Sequence, residues 1–422
     1  MEGRHTTRCE YIVGLDIGTA SAKCMIGEVS DGCNLKVVGA DEIDMAGNAG
    51  DEALLGENAR QITTLVKRLE AQTRLTIYTV YATVGRGDIK GLNMTGAINL
   101  SGNRVQAKHC ERVRRSAERL SIPHGLEILH VLPQQYYLDE SRKVVDPIGF
   151  SAHKLEMALH LITCDSKSLN QKRRLIKTAG YGVEGLVVNG LASFYGGRGL
   201  YSREKDVLVV NIGAANTDLL FFVDGQIVTT SQLMFGLNDI VSEFEYRFGI
   251  TGPDARKLLR AYMQCCAGPG ARARKGAASS FTIIQKKISG GEGRFFSDYK
   301  KISGETISLV VAYMVSQVIE KIKSNVIAYL AGEISGIQVV LMGGGAYLPE
   351  TEREFRDKFG CEIIIGENKF KSGGDLYGTA YGLLRYGLDD RRGGRVEQPA
   401  GLARRLGSVV QNLSTWASVK MT

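Results

Sequence analysis

The 422-residue sequence has no long apolar run, no closely paired cysteines and a single tryptophan. No apolar run approaches the ~18 residues that a helix needs to span a bilayer, so no transmembrane helix is expected. The first ten residues, MEGRHTTRCE, carry no apolar stretch after their charges, and we expect no secretory signal there. The eight cysteines are scattered without a C-x-x-C pair. This favours reduced, mostly buried thiols over a disulfide framework or a zinc site.

Length and composition are those of an ordinary globular chain with room for two or more domains. The sequence is 44% apolar and 23% charged, which argues against disorder and against a fibrous class. Lys and Arg number 53 against 45 Asp and Glu, a net charge of +8. This excess fits an anionic partner, but it does not choose among lipid headgroups, an acidic peptide and nucleic acid.

Apolar patterns in the first half predict a mixture of strands and helices. We expect strands in the first forty residues, a helix over 51–72 and a buried strand in RLTIYTVYATVG. Residues 85–162 combine a Gly-rich strand, a basic helix and two further strands. We interpret that stretch as a small inserted subdomain.

Further strands and helices follow in the second half. A hairpin turn is predicted at Asp224-Gly225, a helical region over 236–264 and a long helix over 303–332. After residue 388, DDRRGGRVEQPAG is polar and bounded by Gly and Pro, which is typical of a flexible linker.

Two short segments about 195 residues apart share one pattern: DIGTASAK at 16–23 and NIGAANTD at 211–218. Each begins with a polar residue, followed by Ile, Gly and then small or hydroxyl residues. A charged residue stands seven positions after the first. Gly and small residues in a strand-to-strand turn let backbone N–H groups approach an anion closely. The pair predicts a phosphate site formed by two similar halves, although each segment alone would also suit an ordinary hairpin.

Side chains of the first segment suit a nucleotide with a metal ion. Thr19, Ser21 and Lys23 add donors, and Asp16 is suited to holding Mg²⁺ through water. A glycine turn at 343–345 would let a nucleoside lie flat on the backbone. The sequence has neither a Walker A pattern nor a strand-GxGxxG-helix unit, so P-loop and Rossmann sites are not favoured.

The end of the chain carries an amphipathic helical pattern. One helical face collects the apolar residues Leu402, Leu406, Val409, Val410, Leu413 and Trp416. Basic residues beside an aromatic suit the headgroup zone of a membrane, and a polar linker precedes them. We predict a membrane-binding helix that is weak alone and strong when a filament presents many copies. The alternative is a helix docked on the body of the protein.

These motifs resemble those of the FtsA family in the actin superfamily. The first phosphate loop of the superfamily is similar to GLDIGTASAK, the second to VVNIGAANTDL and the adenosine motif to VVLMGGGAYLPE. The FtsA-specific subdomain closely resembles ILHVLPQQYYLDESRKVVDPIGFSAHKLEMALHLITC, and actin, MreB and Hsp70 have no such segment there. With the linker and terminal segment, the resemblance covers nearly the whole chain.

The resemblance implies an α/β, actin-like fold of two halves (duplicated ribonuclease-H-like domains) with the FtsA-type inserted subdomain in the first half. The implied boundaries are 1–83 and 163–196 for subdomain 1A, 84–162 for inserted subdomain 1C, 197–231 and 304–388 for subdomain 2A, 232–303 for subdomain 2B, 389–401 for the linker and 402–422 for the membrane-targeting helix.

It also implies ATP or ADP with Mg²⁺, self-assembly into filaments on the inner membrane face, binding of the FtsZ C-terminal peptide by subdomain 2B and contacts of subdomain 1C with other division proteins. Nucleic acid is not an expected partner. The implied nucleotide-binding residues are Asp16 (which also holds Mg²⁺ through water), Gly18, Thr19, Ala20, Lys23, Asn211, Gly213, Ala214, Ala215, Asn216, Gly236, Lys257, Gly343, Gly344 and Gly345. The membrane residues are Leu402, Arg404, Arg405, Leu406, Val409, Leu413 and Trp416. The basic residues of subdomain 2B expected to face the FtsZ peptide are Arg272, Arg274, Lys275, Lys286, Lys287, Lys300 and Lys301.

The second loop departs from the family pattern D-I-G-G-G-T. Asn211 replaces the aspartate, Ala214 and Ala215 replace glycines, and Asn216 replaces the threonine. Losing the carboxylate removes a charge that would help to position Mg²⁺ and the attacking water. A left-handed backbone at Asn216 would compensate for a lost glycine. Asn189, in the place of the residue that polarises water in actin, is a poor base. We predict ATP binding with slow or absent hydrolysis, and the alternative is that Asp16 alone suffices.

Two other classes stay open. A PilM-type pilus-assembly protein shares the fold and the position of the insert, but the tail and HVLPQQYYLD favour FtsA. A small-molecule kinase of the superfamily needs a carboxylate base aimed at an acceptor hydroxyl, and no clear candidate motif for one is present.

Overall fold

The computed structural model describes residues 10–31, 34–47, 51–118, 122–201, 205–266, 280–287, 296–327, 336–366 and 377–392. The predicted tail and most of the predicted linker lie outside the described residues, as do three basic residues of subdomain 2B, Arg272, Arg274 and Lys275. Across the ranges that are described, no helix is both long and apolar enough to cross a membrane.

The strands are β1 (Glu10–Ile17), β2 (Ser21–Ser30), β3 (Asn34–Asp44), β4 (Thr79–Val84), β5 (Lys90–Asn99), β6 (Leu126–Leu138), β7 (Arg142–Val144), β8 (Lys154–Asp165), β9 (Gly182–Val188), β10 (Val207–Ile212), β11 (Thr217–Val223), β12 (Gln226–Leu233), β13 (Ser280–Lys287), β14 (Phe296–Ser303), β15 (Gln338–Met342) and β16 (Glu362–Ile365). The helices are α1 (Leu55–Thr73), α2 (Ala107–Glu118), α3 (Ser166–Thr178), α4 (Asn189–Gly196), α5 (Leu237–Phe248), α6 (Gly252–Cys266), α7 (Gly304–Ile327), α8 (Pro349–Phe359) and α9 (Gly378–Arg391).

Two five-stranded sheets share one plan. Their strand orders are β3-β2-β1-β4-β9 and β12-β11-β10-β15-β16. In the first, β1 is antiparallel to β2 and parallel to β4, and β4 is parallel to β9. In the second, β15 is parallel to β16. The central strand of each sheet, β1 or β10, leads into one of the two similar segments, which is the duplicated arrangement that the sequence predicts.

The described residues fall into two compact units. The first comprises those within Met1–Val210, Asp218–Leu233 and Gly366–Leu406. The second comprises those within Asn211–Thr217 and Met234–Ile365.

Helix α1 of the first unit forms because its apolar residues recur at helical spacing. Ile62, Leu65, Val66 and Leu69 are fully buried, while charged residues occupy the other face. Each such side chain contributes ~1.5–3 kcal/mol when its burial is complete. The helix predicted over 51–72 is therefore confirmed.

Helices α4 and α9 of the first unit cross closely at glycines. A Cβ on Gly382 would lie 1.7 Å from the carbonyl oxygen of Ala192, and one on Gly196 would lie 2.0 Å from that of Gly378. No side chain fits at either position, so the backbones are in direct contact. The sequence patterns make no prediction for α8, β16 or α9.

The inserted segment of the first unit has its own core. Its sheet has the order β5-β8-β6-β7, and α2 packs on it with Val113 fully buried. Polar contacts connect the inserted segment to β12. Asn93 Nδ2 donates to the carbonyl of Val228 at 2.9 Å, and a ring nitrogen of His160 lies 2.9 Å from Thr230 Oγ1.

The predicted helical region over 236–264 is two helices. α5 ends at Phe248, Gly249 takes a left-handed backbone with φ +55°, and α6 begins at Gly252. The interruption is at a glycine because other residues are strained at positive φ.

Among the cysteines in the described part of the chain, Cys24, Cys110, Cys164, Cys265 and Cys361 are free thiols. Cys24 and Cys164 are buried, Cys110 and Cys361 are half-buried and Cys265 is exposed. Burial raises the pKa of the Cys24 thiol well above its usual value, so it stays protonated and unreactive.

Candidate functional site

The two similar segments form the same turn. In the first, the Gly18 N–H donates to the carbonyl of Ser21 at 3.0 Å, and in the second the Gly213 N–H donates to that of Asn216 at 2.9 Å. A Cβ on Gly18 or Gly213 would lie 2.9 or 3.0 Å from that same acceptor oxygen. Both glycines are therefore required by one geometry, and the shared sequence pattern reflects a shared backbone.

Asp16, at the end of β1, is held by a buried threonine. Thr83 Oγ1 donates to Asp16 Oδ1 at 2.9 Å and accepts the N–H of Ile17 at 2.9 Å. Thr83 lies on β4 and is fully buried. The carboxylate and the start of the first loop are thus positioned by one side chain, which the sequence patterns do not single out.

The other predicted residues of the first loop are more open. Ala20 is exposed, and its carbonyl accepts the N–H of Met45 at 3.0 Å. Lys23 Nζ donates to Ser21 Oγ at 3.1 Å. Gly18 and Thr19 are half-buried, so this turn is partly open to solvent.

A buried lysine that the sequence analysis did not anticipate lies at the base of this loop. Lys172 Nζ is 3.3 Å from the carbonyl oxygen of Ile17, and the residue is only 9% exposed. Burial lowers the pKa of Lys172 to about 8, and the Asp16 carboxylate opposes part of that shift. The detectable signal was helical spacing, because Lys172 lies three residues after Leu169 and three before Leu175 on the buried face of α3.

The second loop rests on the first turn of α5. The N–H groups of Leu237 and Asn238 donate to the carbonyls of Gly213 and Ala214 at 3.0 and 2.8 Å. Gly236 must be glycine here, because its Cβ would lie 2.5 Å from the carbonyl oxygen of Ala214. The structure therefore brings together the predicted residues of this loop and Gly236.

The expected left-handed backbone at Asn216 is wrong. Asn216 is not among the described non-glycine residues with positive φ. Its carbonyl accepts the Gly213 N–H, and β11 begins at the next residue, so extended backbone is required at once. Asn216 is also only 7% exposed, so the residue is buried.

The predicted glycine turn contacts the end of β10. Gly343 has φ +79°, and a Cβ there would lie 2.2 Å from Asn211 Oδ1. A Cβ on Gly345 would lie 2.3 Å from Ile212 Cγ2, and Thr351 Oγ1 donates to the Gly345 carbonyl at 2.9 Å. The second loop and the glycine turn are thus in direct contact within one unit.

Lys257 is on α6 and has no hydrogen bond to the second loop or the glycine turn within the described ranges. Its side chain is 80% exposed and lies 3.8 Å from Asp254 Oδ1. Helix α6 contacts α8, which follows the glycine turn, through Tyr262, whose hydroxyl donates to Glu350 Oε1. Ser308 Oγ donates to the same oxygen at 2.6 Å. Oε2 of that 2% exposed glutamate has no hydrogen-bond partner in the described part of the chain.

Asn189 begins α4 and packs on Gly85. A Cβ on Gly85 would lie 2.4 Å from Asn189 Nδ2, and Asn189 Oδ1 is buried without a hydrogen-bond partner among the described residues. Nearby, Gln232 Nε2 donates to the carbonyl of Gly85 at 3.1 Å and to Asp218 Oδ1 at 2.6 Å. An amide cannot accept a proton from water at neutral pH, so Asn189 is not a general base.

These features suit a phosphate ligand. Turns that contain glycine let an anion approach the backbone closely, and each of the two loops contains one such turn. For Mg²⁺ the first loop offers the Asp16 carboxylate, which would bind through water. Within the described ranges, no cluster of three or more His, Cys, Asp or Glu side chains forms a direct metal site.

Known proteins that are similar to this chain are cell-division proteins. Residues 87–163 match the family model described as the SHS2 domain inserted in FtsA. The chain is 24% identical to the cell division protein FtsA of Escherichia coli (strain K12), with 96% of this chain and 97% of that protein aligned. The same values apply to the cell division protein FtsA of Borreliella burgdorferi.

A solved structure, the PilM-PilN type IV pilus biogenesis complex, has a similar fold. Its TM-score is 0.60 at 16% identity, covering 89% of this chain and 98% of that one. At this identity the likeness concerns the fold alone. The duplicated sheets, the matched insert and the similarity over nearly the whole length together show that the chain is similar to FtsA cell-division proteins and has an actin-like fold with the FtsA-type insert.

Proposed function

We propose that this protein binds ATP, polymerises on the inner face of the cytoplasmic membrane, tethers FtsZ filaments there and helps to recruit later division proteins. The observation that carries the proposal is the similarity to FtsA over 96% of the chain, together with the match to its inserted domain. The four-part division into subdomains 1A, 1C, 2A and 2B is part of the proposal.

Nucleotide binding is supported by the two matching turns. The backbone N–H groups around Gly18 and Gly213 would donate to phosphate oxygens, with Lys23 as a further cation. The Gly343 turn would receive the nucleoside, and Asp16 would hold Mg²⁺ through water. When bound, Mg²⁺ neutralises charge on the phosphates.

Slow or absent hydrolysis is part of the same proposal. Asn211 is 5% exposed and packs against Gly343, and Asn189 is an amide at the start of α4. Neither side chain can take a proton from an attacking water. ATP would then act as a structural ligand that favours assembly.

The FtsZ peptide needs an accessible surface on the second unit, and α5 and α7 offer one. Tyr246, Leu309 and Tyr313 are 85%, 68% and 54% exposed. Arg247 lies over the Tyr313 ring at 5.7 Å, which adds a cation beside the apolar surface. Exposed aromatics with Arg are typical anchors for a peptide.

The basic residues first expected to face that peptide are less suitable. Lys300 donates to the carbonyl of Phe248, so its ammonium already has an acceptor. The side chains of Lys286 and Lys287 lie outside the described part of the structure. We therefore propose α5 and α7 as the principal contact.

Membrane attachment rests on the sequence pattern over 402–416, which lies outside the described residues. Apolar residues on one predicted face, with Arg404 and Arg405 beside them, suit an anionic bilayer surface.

The test is co-sedimentation of FtsZ with anionic vesicles. Full-length protein should carry FtsZ into the pellet, and a chain ending at Glu397 should not. Tyr246→Glu should leave vesicle binding intact but release FtsZ. Tyr78→Glu is its matched control, because Tyr78 is a 76% exposed tyrosine of the first unit.

If FtsZ stays in solution with every variant, tethering is wrong and the PilM-type alternative gains, since a PilM complex shares the fold. If the truncated chain recruits FtsZ as well as the full chain, the tail is not the membrane element.

A further inference from the structure

Lys172 is a buried cation that the fold does not explain. It occupies the inner face of α3 between Leu169 and Leu175, both fully buried. Its hydrogen bond at 3.3 Å to the carbonyl of Ile17 is the one polar contact of its ammonium in the described part of the chain. An ammonium carries three N–H donors, so most of its hydrogen-bonding capacity is unused.

Such a placement is costly for the folded state alone. A buried ammonium without a hydrogen-bonded carboxylate loses hydration that one long hydrogen bond does not replace. An apolar side chain of similar length, such as Met, would fill the same space on α3 without that cost. The positive charge therefore calls for an explanation other than packing.

The position of the ammonium points to an anion at the first loop. Ile17 is the residue before Gly18, whose N–H closes the phosphate-loop turn. Thr83 holds Ile17 from its N–H side and Lys172 from its carbonyl side. Asp16 is the nearby acidic group that influences the Lys172 ammonium, and its Oδ1 is engaged by Thr83.

We propose that Lys172 is a further phosphate-binding residue, which directs its remaining N–H donors and its charge to the phosphate chain of a nucleotide at the first loop. This inference rests on the proposed nucleotide binding. It assigns the buried cation of α3 to the ligand, in addition to Lys23 on β2. A lysine suits this task because it is a compact point charge on a long flexible stem.

The experiment measures the affinity of the full chain for N-methylanthraniloyl-ATP in magnesium buffer by fluorescence titration, with thermal unfolding of each ligand-free variant. Lys172→Met should weaken binding by about ten-fold or more, equivalent to ~1.4 kcal/mol. Its unfolding temperature should stay the same or rise. Lys172→Gln, which keeps polar N–H donors but removes the charge, should weaken binding similarly.

The matched control is Lys177→Met, which removes an exposed lysine from the same helix and should leave the affinity unchanged. The inference is overturned if Lys172→Met or Lys172→Gln binds like the natural chain, because the lysine then only holds Ile17. It is also overturned if binding falls only together with the unfolding temperature.

Failure of the proposed function has a different signature. If the natural chain does not bind the nucleotide, the proposed nucleotide site is wrong, and so is the proposed role of Lys172. If the natural chain binds and only the variant result is negative, ATP binding stands. Should Lys172→Met not fold, Lys172→Gln decides the question alone.

Discussion

The amide oxygen of Asn211 occupies the space that any side chain at Gly343 would need. A Cβ on Gly343 would lie 2.2 Å from Asn211 Oδ1 and 2.5 Å from the carbonyl oxygen of Ile212. Asn211 is 5% exposed, and a carboxylate at such a buried position would lose most of its hydration. An amide fits there without a charge. The contact joins the end of β10 to the turn after β15 within the second unit.

Gly343→Ala should therefore destabilise the protein. The substitution places a methyl group on two oxygens at a backbone φ of +79°, and we expect a loss of at least ~2–3 kcal/mol in the free energy of unfolding. Gly360→Ala is the matched control, because Gly360 has φ +60° with no heavy atom within 4 Å of its Cβ. That variant should lose only the ~1–2 kcal/mol of a left-handed backbone. Equal losses in urea unfolding would show that the Asn211 contact is unimportant.

Gly236→Ala should weaken nucleotide binding. Its Cβ would lie 2.5 Å from the Ala214 carbonyl oxygen, so the second loop must move away from α5. We expect the ATP affinity to fall by about ten-fold, measured by calorimetry, since a phosphate site depends on backbone placement. Gly56→Ala, with open space around its Cβ on α1, should leave the affinity unchanged. Unaltered binding in Gly236→Ala would contradict a phosphate role for the second loop.

Thr83→Val should loosen the first loop. The change keeps the shape but removes the acceptor for the Ile17 N–H and the donor to Asp16. A buried N–H left without a partner costs ~1–3 kcal/mol, so the free energy of unfolding should fall by that amount. Thr64→Val on the exposed side of α1 should change it by less than ~0.5 kcal/mol. A similar result for both variants would mean that Thr83 does not hold the loop.

Two buried histidines predict a loss of stability in mild acid. Burial lowers the pKa of His130 and of His160 to about 3, from about 6.5 in the unfolded chain. Between those values the unfolded state binds a proton that the folded state does not, so stability falls as the pH drops from about 6 to about 4. Each histidine contributes a slope of up to ~1.4 kcal/mol per pH unit.

The variant His160→Gln isolates one of these protons. Its free energy of unfolding should fall less steeply between about pH 6 and pH 4, by up to ~1.4 kcal/mol per pH unit. His124→Gln, at an exposed position, should leave the slope as it is. Parallel slopes for His160→Gln and the natural chain would show that His160 is protonated in the folded protein.

Local patterns in the sequence were sufficient for several features of this protein. Helix α1 follows from residues spaced for one buried face, and the hairpin at Asp224-Gly225 follows from two residues that tolerate positive φ. The two similar segments share a sequence pattern because one turn geometry favours glycine at both Gly18 and Gly213. These signals are readable because each acts over a few neighbouring residues.

Other features depended on residues that are distant in the chain, and only the tertiary structure decided them. Thr83 and Lys172 reach the first loop from β4 and α3, across 66 and 155 residues. Asn211 meets Gly343 because β10 and the turn after β15 end side by side. The extended backbone at Asn216 follows from the turn hydrogen bond to Gly213 and from the start of β11 at the next residue. A sequence determines its local conformational preferences directly, but burial and long-range hydrogen bonds exist only once the chain has folded.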